Sequence, residues 1–173
     1  NNGGVYKYSP ATNSWSMITT GINFGEYHGQ GDYDPIHKII VFGGGNGNPK
    51  KFFKLDASGT VTALTDATIN IGVNATNFAV DPVSGRFIVT NTAKEMYELN
   101  PTGSGTWTKL ATTTPIVMLQ SDDWNNNSVV TPISTYGVIF YATSNNQVYL
   151  YKHSPLPPPS IKIPAAPTNI SVN

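Results

Sequence analysis

The chain has 173 residues, of which 39% are hydrophobic and 11% aromatic, while only 12% are charged; that length suits one domain or a little more. Ten basic and ten acidic side chains cancel to zero net charge, and Lys50-Lys51 is the largest basic cluster, so neither a nucleic-acid face nor an anionic membrane surface is expected as a partner. There is no cysteine, which excludes thiolate metal sites and cysteine nucleophiles, and no apolar run reaches the ~20 residues of a membrane helix, so membrane insertion is not expected.

Sixteen Gly and thirteen Pro, set among β-branched and aromatic residues, predict an all-β chain. The chain starts at Asn1 without a Met, which reads as a processed or truncated end. From Val5 to Trp15 two strands flank a turn, the first carrying Tyr6 and Tyr8. A different pair follows: one strand near Gln30–Tyr33, an Asp34-Pro35 turn, and an apolar strand over Lys38–Phe42 that ends in Gly43-Gly44-Gly45. The first kind of hairpin returns over Phe52–Leu64, and the second over Asn77–Val80 and Arg86–Thr90 with Asp81-Pro82 between them. Met96–Leu110 is again the first kind, with Trp107 after the turn. Ser128–Thr131 and Val138–Ala142 repeat the second, and Val148–Ser154 begins another of the first without completing it.

Tyr6, Phe53, Tyr97 and Tyr149 recur at intervals of 47, 44 and 52 residues, and Asp34 and Asp81 stand 47 apart. Two independent markers with a period near 45–50 residues predict radial sheets of four strands, A to D, as in propeller blades. The glycine run after strand B, the Tyr6/Tyr8/Pro10/Trp15 set and the Tyr97/Pro101/Trp107 set resemble the Kelch repeat of β-propellers over residues 1–154. Asn91-Thr92 and Ser144-Asn145 replace the glycines in the later units, and Val61 replaces the Trp in one. The resemblance implies β-propeller blades of four-stranded antiparallel sheets, about three to three and a half of them, forming the C-terminal part of a ring. A missing N-terminal half, or a second copy, would then close that ring.

Residues 155–167 contain six prolines and read as an extended linker. Residues 168–173, together with the Ala165-Ala166-Pro167 before them, resemble the start of a fibronectin type III or immunoglobulin-like module. A propeller joined by prolines to such a module is similar to secreted bacterial carbohydrate-active proteins, which implies a secreted or cell-surface location. Galactose-oxidase-type enzymes share that layout, but their copper-radical cofactor needs a cysteine that this chain lacks.

In this strand order the D–A and B–C loops emerge on one face, where long loops on a rigid scaffold carry binding residues. The candidates are Glu26, Tyr27, His28, Asn46, Asp123, Trp124 and Asn145. Planar amides and exposed aromatic rings suit sugars, through paired hydrogen bonds and an apolar stacking surface. The leading expectation is a non-catalytic extracellular module for a glycan or protein ligand. The alternatives are part of a secreted carbohydrate-active enzyme sharing its site with the missing half, and a purely structural or adhesive module. No cofactor or metal site is expected. Calcium is the one ion considered, through Asp32, Asp34 and Asp122-Asp123, although no calcium-loop spacing is present. Asp34 and Asp81 are expected to cap their turns, and His37 and His153 to be solvated.

Overall fold

The computed structural model describes residues 3–25, 27–72, 76–116, 128–143 and 146–154. It is all β. A hairpin of β1 (Gly3–Ser9) and β2 (Ser14–Ile22) comes first. Two four-stranded sheets follow, β3 (Gln30–Asp34), β4 (Ile39–Gly43), β5 (Phe52–Leu55) and β6 (Val61–Ala63), then β7 (Asn77–Val80), β8 (Phe87–Thr90), β9 (Met96–Asn100) and β10 (Thr106–Ala111). A three-stranded sheet closes the described chain: β11 (Val129–Ile133), β12 (Val138–Ala142) and β13 (Val148–Tyr151). Every pairing is antiparallel and between sequence neighbours, which is the up-and-down order of propeller blades.

Register makes the units equivalent. Phe53 pairs with Phe42, Tyr97 with Val89, and Tyr149 with Tyr141. On the outer side Tyr6 faces Met17, Phe53 faces Ala63 and Tyr97 faces Lys109. The four anchor aromatics therefore occupy one structural position. The turns explain why these stretches fold locally. Fully buried Asp34 accepts from Ile36 N at 2.8 Å and His37 N at 3.1 Å, and fully buried Asp81 accepts from Ser84 N at 3.1 Å. Both aspartates cap the reversal between strands A and B, as their place before a proline implies.

Side chains alternate across each sheet, so each blade has two faces. Phe78, Val80, Phe87, Val89, Tyr97 and Leu99 point back to the preceding blade, where they bury Val41, Phe52, Leu64, Ala67 and Ile71. Ala79, Ile88 and Met96 point forward and pack on Ile139 and Tyr141, with Tyr149 and Tyr151 beside them. Phe52 stacks on Phe78 with centroids 5.3 Å apart, and Phe78 on Phe87 at 4.9 Å. The innermost strands adjoin, β3 against β7 and β7 against β11. Sheets thus stand side by side around a shared inner line, burying each other's flat faces.

Two sequence expectations need correction. Strand B is continuously apolar in sequence, as suits a strand buried between neighbouring blades; β8 is buried along its length, but Ile40 of β4 is 42% exposed. Only the two-stranded β1–β2 hairpin precedes that sheet among the described residues, so strands A and B have no counterpart there to cover them. His153, expected in solvent, is instead largely buried: its Nε2 lies 2.7 Å from Glu98 Oε2, and its Nδ1 3.0 Å from Tyr151 OH. Glu98 also receives Arg86 Nη1 at 2.7 Å, so a buried carboxylate between blades meets a guanidinium and an imidazole. His37 keeps partial exposure, but its Nδ1 is 2.5 Å from the buried Asp34 carboxylate.

Candidate functional site

The D–A and B–C loops do share one face, and backbone hydrogen bonds lace them together. Gly25 N donates to Gly44 O at 2.8 Å, Asn46 N to Tyr27 O at 2.9 Å, and Gly45 N to Ile71 O at 2.8 Å. Further along, Ala67 N donates to Lys50 O at 2.9 Å and Thr114 N to Lys94 O at 2.8 Å. The loop before β3, the loop after β4 and the loop after β6 therefore meet at the glycine run.

That meeting needs glycine. Gly44 and Gly45 have φ of 70° and 87°, in the left-handed region that a Cβ disfavours. A Cβ on Gly44 would lie 2.6 Å from Ile71 O, and one on Gly45 would run into Tyr27 O. The backbone of three loops passes where side chains would be. The Gly43-Gly44-Gly45 signal thus marks loop packing, and Lys51 N is turned back onto Asn48 O at 3.1 Å within the same loop.

On this scaffold the structure brings together three of the expected site residues, Tyr27, His28 and Asn46. Tyr27 is 67% exposed, and its carbonyl accepts from Asn46 N. His28 is exposed and sits at φ 62°, a sparsely populated backbone region for a residue with a side chain. Gly72 packs so close to the His28 carbonyl that no Cβ would fit between them. In the same loops Asn48 Nδ2 donates to Asn23 Oδ1 at 2.7 Å; Asn48 is one of the loop-face amides expected from sequence, whereas its partner Asn23 is not. The signal for the pair was two asparagines in loops that the repeat places on one face. Glu26, Asp123, Trp124 and Asn145 lie outside the described residues, as does Asp122.

Of the aspartates considered for calcium, Asp32 and Asp34 are engaged elsewhere. Asp32 accepts from Tyr33 N at 2.8 Å and Val80 N at 2.9 Å, and Asp34 holds its own turn. Among the described residues no three His, Asp or Glu side chains are gathered for a metal. Elsewhere Glu95 is held at about 2 by hydrogen bonds from Lys109, Asn91 and Tyr97. Burial pushes the phenol of Tyr97 up, with the Glu95 carboxylate adding to the effect, and burial does the same at Tyr141.

The described architecture is that of a partial β-propeller. No family model matches the chain, and no curated protein matches it. Among solved structures, one described as a "putative gluconolactonase" is similar, with a TM-score of 0.49 and 14% identity over 85% of this chain and 52% of that one. The chain thus spans about half the length of that structure. The Kelch and fibronectin type III resemblances find no support in these comparisons.

Proposed function

We propose that this chain is an extracellular β-propeller recognition module that takes a glycan on its D–A and B–C loop face. The observation that carries the reading is Tyr27, 67% exposed and fixed by Asn46 N at its carbonyl, beside His28 and the Asn48–Asn23 amide pair. An exposed ring on a rigid backbone offers a stacking surface without much ordering cost. Amides beside it supply paired donors and acceptors for hydroxyl groups. Exposed Tyr6 and Trp15 on β1–β2, and Val148 and Leu150 on β13, support a second element of the reading: further blades stand on either side of this arc, from the same polypeptide or a second copy.

The test is a glycan array probed with the full chain. Binding should appear for a restricted set of sugars, disappear in Tyr27→Ala and survive in Tyr27→Phe, which keeps the ring. A silent array, or binding that Tyr27→Ala leaves intact, refutes the assignment.

A further inference from the structure

The last sheet has an outer strand with an open edge. Among the described residues β13 pairs only with β12, whereas β5 and β9 each carry a strand D on their other side, β6 and β10. Val148 and Leu150 on this strand are 63% and 66% exposed. Open edges of this kind accept further strands through their unpaired N–H and C=O groups.

A side-chain seat lies beside the edge. In the preceding pair of blades, Trp107 of β10 fills the corresponding place. Its ring meets Phe52 edge-on, with centroids 5.5 Å apart, and its Nε1 donates to Thr65 O at 3.0 Å. Register carries that seat forward by one blade. Met96 precedes its anchor aromatic as Phe52 does, and Ala111 stands opposite Met96 as Leu64 stands opposite Phe52. Thr114 N bonds Lys94 O as Ala67 N bonds Lys50 O. At that place the structure has a cleft of about 330 Å³, lined by Met96, Ala111, Thr114, Ile116, Tyr149 and Tyr151 among others. In the two complete blades Leu99 faces Trp107 and Leu55 faces Val61, and Tyr151 is the counterpart of those leucines.

We infer that the β13 edge and this cleft form a binding site for an extended strand of the β10 type from outside residues 152–173, with a large aromatic residue opposite Tyr151. The chain's own continuation is a poor occupant. Residues 152–173 contain no Phe, Tyr or Trp, and prolines stand at 155, 157, 158 and 159, across the stretch that would have to turn and begin a fourth strand. Those turns, 56–60 and 101–105, are five residues each and contain glycine. His153 is also held to Glu98 of β9 just after the strand ends. A strand of the β10 type meets both requirements, edge pairing and an indole for the seat.

The probe is a labelled synthetic peptide with the sequence of residues 104–112, titrated into the full chain and followed by anisotropy and hydrogen exchange. Binding should saturate, weaken at least tenfold when the peptide carries Trp107→Ala, and protect the amides of 148–151. Three results overturn the inference: no binding at millimolar peptide, equal binding by a scrambled or Trp107→Ala peptide, or protection confined to other strands. A fourth does so as well, namely β13 edge amides already as protected in the free chain as those of β5 and β9, because the edge would then be covered by the chain itself.

Discussion

Asp32 Oδ2 accepts a hydrogen bond from Val80 N at 2.9 Å, tying the innermost strand of one blade to the innermost strand of the next. Val80 is 1% exposed, so its neighbourhood offers little water to replace that acceptor. The bond is charge-assisted, and the same carboxylate also receives Tyr33 N.

Asp32→Ala should therefore lower unfolding free energy by about 1–3 kcal/mol, the range for leaving a buried donor without its partner. Asp32→Asn keeps an acceptor oxygen and should lose less. Urea denaturation of the three proteins measures the order; equal midpoints for Asp32→Ala and the parent chain would show that the strands hold together without this bond.

Trp107 joins the same two blades further out. Trp107→Phe keeps a ring against Phe52 but removes the donor to Thr65 O, at a cost of about 1 kcal/mol. Trp107→Ala also removes the packing and should cost about 3 kcal/mol. Thermal unfolding that ranks Phe below Ala in stability would contradict the packing of this interface.

Glu95 gives the chain a pH signature in acid. Its folded value, about 2, lies below the ordinary 4.5 because Lys109, then Asn91 and Tyr97, hydrogen-bond the carboxylate. A depressed value means that the charged form favours the fold. The contribution is complete above pH 4.5 and is lost as pH falls through about 2. Melting temperature should drop over that window more steeply in the parent chain than in Glu95→Gln. Parallel melting curves across the window would show that the pairing stabilises nothing.

The repeat was legible because it is carried by side chains that every blade reuses. Alternating apolar residues mark the strands, and one aromatic per unit marks the third of them. Strand limits such as Asn77–Val80 and Val138–Ala142 could be read directly, since each lies between turn formers with nothing ambiguous around it. Asp34 and Asp81 were legible as turn caps because the proline after each fixes the backbone. Partners across blades were not. Asp32 looks like a free carboxylate until β7 is placed beside it. His153 looks like a solvated strand end until Glu98 appears on the neighbouring sheet. Both depend on contacts about fifty residues apart, and no local pattern records such contacts. The loop face was legible as a set of loops, but the Asn23–Asn48 pair was not, because it needs the distance between two turns.

The glycine run offers the most direct test of how that face is built. In sequence it resembles a repeat signature; in the structure Gly45 lets the loop before β3 pass over the loop after β4. Gly45→Ala would place a methyl against Tyr27 O at a φ of 87°. Such a change combines backbone strain with a steric overlap, and should destabilise by about 2 kcal/mol or more. Since the bonds Gly45 N to Ile71 O and Asn46 N to Tyr27 O flank the same point, the loss should be concentrated in the loops. Hydrogen exchange should accelerate at Gly45 and Asn46 while β8 and β9, packed on both faces, keep their protection. Uniform acceleration through all strands would mean that the loop lacing is part of the general core and is no separate platform for Tyr27. Unchanged exchange would mean that the loops do not need glycine at this position.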